Sequence, residues 1–460
     1  MISLQNLLQQ LNGNKFRVFT ILLAITGLTY GCIPTKISYK GKYPQNKPVD
    51  KVSKDPETDN KTDESNITND KTKEEVTINK EPDKVKLEIS DNHLYDKDTI
   101  LLLLPFNTHK IDIKKLDSVE QLKDNSIAID FYRGFKLALD NNKIHKDRVV
   151  VKVYDTNEDQ KKIKSILNSK QLKDTKLIIG PVYPHEIENA LSILNQVNSS
   201  NYIISPLAGK LTDTYSYKNF IIVNPPIYVH AEKLAEFARD RYKPKHIYYI
   251  SIQDKKEDNV ENEAFIHTFI NHMITTSPGT IIESLPIKSD DIPKNLELIT
   301  QTFKNNKETI LFVPYNNIDD WYVIMRTLNT IDPTIKLVLL AHPYITHFYR
   351  KLDIVKLQQY NTYTTSASFI DIDNELVVDF FNNYRRLYST IATKYSLSGY
   401  DMGRYLTQIT DMKDSDQLIR YKYNGLLNNI HLQKLDNGII NQSLKILNIT
   451  TKGPMVFKSY

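Results

Sequence analysis

The sequence predicts an α/β fold in which parallel sheets are covered by helices on both faces. From residue 99 onward, short apolar runs typical of buried strands alternate with segments whose apolar residues recur at helical spacing. This alternation is typical of βαβ units, whose parallel sheets are buried on both faces. The chain has 460 residues, of which 40% are hydrophobic. That length exceeds what one compact core usually holds, so we expect two or more lobes.

Apolar runs bounded by breakers or polar residues predict the strands. They cover 100–104, 149–154, 177–179, 202–204, 220–223, 247–252, 310–313 and 337–340. Helical spacing of apolar residues predicts the helices between them. These cover 131–139, 163–167, 231–238, 264–270 and 321–328, followed by a long helical stretch at 375–395. Trp321, the single tryptophan, opens the apolar face of its helix and is expected to pack in the core.

The most informative stretch is 176–210, which contains two predicted strands separated by a helix. Such a βαβ unit closes right-handed, and both strands end at the same edge of a parallel sheet. Ligands of open α/β folds bind at that edge. We therefore expect the loops 180–185 and 205–210 to form the walls of a ligand site.

Two segments interrupt the alternation and suggest where the chain passes between lobes. Asn224-Pro225-Pro226 contains consecutive prolines, which do not fit inside a ladder or a helix. The Tyr/Thr/Ser segment 360–369 precedes the long predicted helix. A third crossing is expected after the helix at 401–409.

Residues 1–32 have the composition of a targeting segment. The apolar run 18–28 follows two basic residues and is too short to span a bilayer permanently, but it suits a signal-peptide core. Cys32 directly follows Gly31, which resembles a bacterial lipobox, although Leu28 stands four residues before the cysteine instead of three. The resemblance implies a lipid-anchored protein. The alternative is an ordinary secretory signal with an incidental cysteine, and both interpretations predict export.

Residues 33–95 are predicted to be a disordered tether between the anchor and the globular part. The segment is rich in Lys, Asp, Glu, Asn, Thr and Pro, and its apolar residues are scattered singly. Too little apolar surface is available there to offset the entropy of ordering. As a flexible coil of about 60 residues it would reach on the order of 45 Å.

Composition excludes several function classes. Lys plus Arg number 60 and Asp plus Glu 55, a net charge of +5 with no concentrated basic patch, so no nucleic acid partner is expected. Phosphate loops, HExxH, GxSxG and CxxC motifs are absent from the sequence, and we expect neither an enzyme nor a cofactor. Glu263 and His267 share a helical face, but the pattern supplies no further zinc ligands, so no metal site is predicted. Cys32 is the only cysteine, which excludes an internal disulfide.

The order and spacing of several segments resemble those of type I periplasmic binding proteins. The segments are TILLLLPFN, IDFYRGFKLALD, VKVYDT, LIIGPVYP, YIISPLAG, HIYYIS, SGYDMGRYL and YNGLLNNIHLQKLDNGIINQSLKIL. That family includes leucine/isoleucine/valine-binding proteins and a domain of penicillin-binding protein activators (LpoA-like). The resemblance covers residue 98 to the end. The most similar envelope proteins often carry a LysM peptidoglycan-binding module before this domain, a place taken here by the tether.

The resemblance implies two Rossmann-like lobes joined by three crossings, with a ligand cleft between them. Lobe 1 would combine 98–224 with 370–418, and lobe 2 would combine 225–369 with 419–460. The residues predicted to line the ligand cleft are Asn107, Asp155, Tyr183, Pro184, His185, Ser205, Leu207, Ala208, Gly209, Tyr315 and His342.

Three of these residues have structural alternatives. Asp155 either pairs with a ligand ammonium group or caps the next helix. Ser205 either faces the cleft or caps the turn at Pro206. His342 either lines the cleft in lobe 2 or donates a hydrogen bond that caps a loop.

Two function classes fit the resemblance. The first is a membrane-anchored small-molecule-binding protein that works with a transporter permease. The second is an envelope scaffold or peptidoglycan-synthase activator with a degenerate cleft. Amino-acid binders of this family hold the zwitterion with small hydroxyl residues in loops that here contain Tyr183-Pro184-His185 and Leu207-Ala208-Gly209. We therefore predict that free branched-chain or polar amino acids do not bind in the micromolar range, and that a ligand would be larger and partly apolar.

Overall fold

The computed structural model describes residues 98–111, 125–140, 149–208, 217–255, 259–304, 309–332, 334–409, 415–435 and 438–459. All of them fall in one unit, Leu87–Tyr460. The predicted targeting segment with Cys32, and the predicted tether, lie outside the described residues. Within these residues, no helix combines the length and the apolar character needed to cross a membrane.

The strands follow one another in this order: β1 (Asp98–Leu104), β2 (Val149–Asp155), β3 (Thr175–Ile179), β4 (Tyr202–Ser205), β5 (Phe220–Ile222), β6 (His246–Ile252), β7 (Ile281–Ile287), β8 (Thr309–Val313), β9 (Leu337–Ala341), β10 (Tyr363–Ser366), β11 (Tyr423–Asn424), β12 (Asn429–Ile430), β13 (Leu432–Leu435), β14 (Gly438–Asn441), β15 (Lys445–Thr450) and β16 (Gly453–Ser459).

The α-helices are α1 (Ser126–Asp140), α2 (Gln160–Ile166), α3 (Ser169–Lys173), α4 (Pro184–Gln196), α5 (Ile227–Tyr242), α6 (Val260–Thr276), α7 (Ile292–Phe303), α8 (Ile318–Leu328), α9 (Ile345–Phe348), α10 (Ile354–Gln359), α11 (Glu375–Tyr388), α12 (Lys394–Ile409) and α13 (Ser415–Arg420).

The described strands form two sheets of seven strands, which we call the sheets of lobe 1 and lobe 2, and a separate pair, β11-β12. The lobe 1 sheet has the order β13-β14-β5-β4-β3-β1-β2, and the lobe 2 sheet has the order β16-β15-β10-β9-β8-β6-β7. Pairing is parallel from β2 to β14 and from β7 to β10, whereas the last pairs in each sheet are antiparallel. The predicted α/β class with two lobes is confirmed.

Both sheets are covered on two faces, which explains their continuous apolar strands. Residues 101–104 of β1 are fully buried between β2 and β3, and all five residues of β8 are buried in lobe 2. Burying each such Leu, Ile or Val stabilises the fold by about 1.5–3 kcal/mol. Trp321 is also fully buried, and its Nε1 donates to the backbone oxygen of Tyr315 at 2.9 Å. Its predicted role in the core is confirmed.

The chain passes between the sheets at three places, and the third differs from the prediction. The first passage follows β5 at residues 223–226, and the second follows β10. The third was expected near 401–409, but β14 still pairs with β5, with Ile439 opposite Ile221. The passage therefore lies between β14 and β15. The 419–441 segment, predicted for lobe 2, belongs with the lobe 1 sheet because its strands β13 and β14 extend that sheet.

Asn441 ties the first and third passages together. Its buried amide donates from Nδ2 to the backbone oxygen of Val223 at 2.9 Å, and its Oδ1 accepts from the backbone N–H of His431 and of Ser443. A buried amide whose donors and acceptor are all used fixes the local geometry, since any rotation would leave polar groups unpaired. The two segments are thereby held in one arrangement.

The predicted long helix at 375–395 is two helices, α11 and α12. Ser389 adopts the left-handed conformation (φ 53°), which ends α11. Thr393 then starts α12, because its Oγ1 accepts from the backbone N–H of Tyr395 and of Ser396 at 3.2 and 3.4 Å. Such hydroxyl-to-backbone bonds favour helix starts over helix interiors.

Helices α1 and α12 pack closely in lobe 1 because glycines lie at their contact. A Cβ on Gly134 would stand 1.8 Å from the backbone oxygen of Ser396, and one on Gly399 would stand 2.0 Å from that of Phe131. Only glycine fits where two helix backbones approach this closely. This contact places the start of α12 at the carboxyl edge of the lobe 1 sheet, beside Ile127 at the start of α1.

Candidate functional site

Strands β3 and β4 end side by side at the carboxyl edge of the lobe 1 sheet. Gly180, directly after β3, has φ +82° and donates its N–H to the backbone oxygen of Ile204 at 2.8 Å. A Cβ there would lie 2.2 Å from the backbone oxygen of Leu103, so the turn requires glycine. Four residues later Pro184 starts α4, a favoured position for proline. The loops after β3 and β4 thus emerge together, as predicted for the walls of a site.

A cavity of about 460 Å³ lies between these two loops and the start of α12. Its volume is within the range typical of small-molecule sites. Its described lining comes from lobe 1 and from the passages that follow β5 and β10. The lining residues are Ile127, Val182, Tyr183, Pro184, Pro206, Leu207, Ala208, Asn224, Ser368, Lys394, Tyr395, Ser398, Leu427 and Asn428.

Four of the predicted site residues are brought together in this cavity, namely Tyr183, Pro184, Leu207 and Ala208. Tyr183, Leu207 and Ala208 are half-buried, and Pro184 is exposed. They give the cavity an apolar wall. His185 is exposed and stacks on the Tyr183 ring, with centroids 6.0 Å apart, outside the lining. Gly209 lies outside the described residues.

The charge of the cavity is set by Lys394, the first residue of α12. Lys394 is the one charged side chain among the described lining residues. It is exposed, forms no ion pair with a described residue, and places Nζ 5.2 Å from the centroid of the Tyr395 ring. The arrangement favours an anionic group in the cavity.

A buried carboxylate holds in place the cavity wall formed by Leu427 and Asn428. Asp401, on α12, accepts hydrogen bonds from the backbone N–H groups of Leu426, Leu427 and Asn428 at 2.8–3.0 Å and from the Tyr423 hydroxyl at 3.1 Å. Burial raises the pKa of the Asp401 carboxyl, against the effect of these donors. The loop 425–428 is therefore fixed to α12, so Leu427 and Asn428 keep a constant position relative to Lys394.

Two further groups join the same loop to the passages between lobes. The backbone oxygen of Leu427 accepts from the N–H of Phe369, after β10, and from Nζ of Lys445, on β15. Burial lowers the pKa of Lys445, although Asp401 and Asp371 act in the opposite direction. The cavity wall is thus connected to the second and third passages.

Neither interpretation of Asp155 matches its position. Its carboxylate accepts from the backbone N–H groups of Asn107, Thr108 and Asn157 and from the Thr108 hydroxyl, at 2.7–3.0 Å. Partial burial opposes ionisation, but the bonds from Thr108, Asn157 and Asn107 outweigh it and lower the pKa of Asp155. The next helix, α2, is capped by Asp159 instead. Asp155 joins the loops after β1 and β2 and is not a cavity residue.

Asn107 is also directed away from the cavity. It is 1% exposed and takes the left-handed conformation (φ 51°), which asparagine tolerates. Its Nδ2 donates to Glu158, while its Oδ1 is buried without a described hydrogen-bond partner.

Ser205 caps its turn, in agreement with the structural alternative. It is 1% exposed, and its Oγ donates to the backbone oxygen of Ala208 at 3.2 Å. This bond fixes the conformation of the loop after β4, which forms one wall of the cavity.

The two residues predicted for the lobe 2 side are buried in lobe 2. Tyr315 accepts the backbone N–H of Ile252 on its hydroxyl at 2.8 Å, and burial raises its pKa to about 12. His342 is fully buried against Phe265, and its Nδ1 accepts the N–H of Tyr344 at 3.3 Å. It caps the loop after β9 as an acceptor, whereas a donor was expected. Neither residue lines the cavity.

Sequence reasoning missed Lys394, Tyr395, Ser368 and Asn428. The available signal was Thr393, a residue type favoured immediately before a helix, which the prediction of one long helix at 375–395 placed in a helix interior. Val182 and Pro206 lie in the two loops predicted as walls, whereas the remaining lining residues come from segments far apart in the chain, which only the folded structure brings together.

No protein-family model matches the sequence, and no curated protein sequence matches it. Solved structures show a common fold. A structure assigned as a branched-chain amino acid ABC transporter from Rhodospirillum rubrum matches with a TM-score of 0.55 at 13% identity, covering 78% of this chain and 100% of that one. An ABC-type branched-chain amino acid transporter from Rhodopseudomonas palustris matches with a TM-score of 0.51 at 11% identity, covering 78% and 96%. An ABC transporter substrate-binding protein from Desulfitobacterium hafniense matches with a TM-score of 0.50 at 14% identity, covering 78% and 100%. The chain therefore has the type I periplasmic binding protein fold.

Proposed function

We propose that this protein is a solute-binding protein of the cell envelope, held to a membrane through a lipid on Cys32 and working with a transporter permease. It binds a small molecule at the carboxyl edge of the lobe 1 sheet and has no enzymatic activity. The observation that carries the proposal is the cavity between the loops after β3 and β4 and the start of α12. The fold supports it, since ligands of open α/β sheets bind at this edge.

The ligand would contact Tyr183, Pro184, Leu207 and Ala208 on one side and the start of α12 on the other. Leu427 and Asn428 would form the third wall. Closure of lobe 2 over this cavity would bury the ligand further, and the passages tied together by Asn441 would serve as the hinge.

A thermal-shift screen of the full-length protein against a panel of small metabolites tests the proposal. Ala208→Trp places an indole in the cavity and should abolish any stabilisation. Ala264→Trp provides the matched control, because Ala264 is half-buried on α6 of lobe 2, outside the cavity. The proposal fails if every stabilising compound acts equally on Ala208→Trp.

One observation favours a second function, that of an envelope scaffold or peptidoglycan-synthase activator. Tyr315 and His342, predicted for the lobe 2 side of the cleft, are directed into the lobe 2 core. A scaffold would use the outer lobe surfaces. A pull-down from membranes that recovers a peptidoglycan synthase equally with wild type and Ala208→Trp would favour this function over transport.

A further inference from the structure

We infer that the ligand of this cavity is an organic carboxylate with an aromatic or branched apolar body and no ammonium group, and that Lys394 binds its carboxylate. This inference rests on the proposed function and names the ligand class.

The charge of the lining is the first argument. Among the described residues, the cavity has one cation, Lys394, and no Asp or Glu side chain in its lining. An α-amino acid brings an ammonium group as well as a carboxylate, and that ammonium would lose water without gaining a charged partner. A monoanion matches the single positive charge.

The side chain of Lys394, and not the helix start as such, supplies the anion contact. Two amides of the first turn, those of Tyr395 and Ser396, already donate to the Thr393 hydroxyl. Lys394 has no acidic partner among the described residues, so an incoming carboxylate does not have to displace one. Ser398, one turn further along α12, adds a hydroxyl to the same wall.

The remaining walls indicate the body of the ligand. Ile127, Val182, Leu207 and Leu427 contribute apolar side chains, and the Tyr183 ring closes one end. Apolar walls with a few placed polar groups are typical of small-molecule sites. A ring or a branched chain attached to the carboxylate would cover this surface.

Asn428 forms part of the lining. Its Oδ1 is buried and accepts no hydrogen bond from the described residues. The backbone N–H of Asn428 is held by Asp401, which fixes the residue in place. That oxygen has almost no accessible surface, so a ligand does not reach it, and Asn428 contributes a wall in a fixed position.

A charge series measured by calorimetry on the full-length protein tests the inference. The probes are phenylacetate, 4-hydroxyphenylacetate, the neutral phenylacetamide, the cationic phenethylamine and the zwitterionic phenylalanine. We expect both acids to bind, and the other three probes to bind at least about tenfold more weakly than phenylacetate.

Variants of Lys394 assign the effect to this residue. Lys394→Met should weaken phenylacetate by about tenfold without changing the affinity for phenylacetamide, and Lys394→Arg should retain most of the acid affinity. Lys356→Met is the matched control, because Lys356 also lies over a tyrosine ring, that of Tyr360, but on α10 in lobe 2. Unchanged amide affinity in Lys394→Met shows that the cavity is still folded.

Three results would overturn the inference: equal affinities for acid and amide, unchanged acid affinity in Lys394→Met, or no binding by any probe. The proposed function is judged separately. If any compound from the metabolite panel binds and Ala208→Trp abolishes its binding, the protein remains a solute-binding protein with a ligand of another class.

Discussion

Two histidines buried in lobe 2 predict that the protein loses stability on mild acidification. Burial lowers the pKa of His230 to about 4, partly opposed by a hydrogen bond with the backbone of Pro225. Burial, together with the charge of His230, lowers the pKa of His342 to about 3. Nδ1 of His230 also lies 2.8 Å from the Thr365 hydroxyl on β10. Both imidazoles are therefore neutral in the folded protein at pH 5.

The size of the effect follows from proton linkage. In the unfolded chain each histidine has a pKa of about 6.5, so below that pH the unfolded state binds protons that the folded state does not. This contribution to stability is fully present above pH 6.5 and is lost as the pH falls toward the folded-state values. Below pH 6.5 each histidine lowers the free energy of unfolding by about 1.4 kcal/mol per pH unit. The two histidines together lower it by about 4 kcal/mol between pH 7 and pH 5.

Urea unfolding at pH 7, 6 and 5 measures this loss. In His342→Gln the loss of unfolding free energy caused by buried histidines between pH 7 and pH 5 should be about 2 kcal/mol, half the wild-type loss. The reason is that only one of the two buried histidines remains to bind a proton on unfolding. His267→Gln is the control, since the His267 side chain is 74% exposed. Contributions from carboxylates are common to all three proteins and cancel in the comparison. The reasoning is refuted if His342→Gln loses as much stability as wild type over this range.

Further predictions concern the anchor, the tether and the loop at the cavity. Cys32→Ala should move the protein from the membrane to the soluble envelope fraction, because acylation at this residue supplies the buried methylenes for stable attachment; unchanged fractionation, with no lipid mass on the mature N-terminus, would argue against a lipoprotein. Deleting about 30 residues between Lys51 and Lys86 should leave the thermal transition within about 2 °C of wild type, because a segment with so few apolar residues buries little; calorimetry would expose a larger shift. Asp401→Ala leaves three backbone N–H groups without their acceptor and should cost about 3 kcal/mol. For the roughly 320 residues that the structure describes, this corresponds to a Tm about 4 °C lower, and a change below about 1 °C would contradict the role of Asp401.

The fold was largely predictable because buried parallel strands are short, apolar and bounded by breakers. β1, β8 and β9 were predicted within two residues of their ends. β7 was missed because it is an edge strand whose residues are mostly exposed, so Ile281–Ile287 shows no continuous apolar run. The strands from β13 to β16 were not predicted individually either. They are partly solvent-facing, and most of their pairs are antiparallel. Their place in two different sheets depends on pairing with β5 and β10, which lie far away in sequence.

The site was predictable only where it depends on local chain geometry. The loops after β3 and β4 follow from the βαβ unit, which is why Tyr183 and Leu207, both predicted from the sequence, lie in the lining of the cavity. The direction of a side chain at a strand end does not follow from sequence. The Asp155 carboxylate accepts hydrogen bonds from neighbouring backbone N–H groups, and the His342 side chain is buried in the core of lobe 2. Lys394 reaches the cavity only because glycines let α1 and α12 approach each other closely.

Isothermal titration of the full-length protein with the common amino acids and with partly apolar carboxylates tests the central claim most directly. The account predicts micromolar heat from a partly apolar ligand, lost in Ala208→Trp and weakened in Tyr183→Ala, and no micromolar heat from any free amino acid. Micromolar binding of a free amino acid that is abolished by Tyr183→Ala would contradict it, because the cavity would then accept a zwitterion that its described lining does not match.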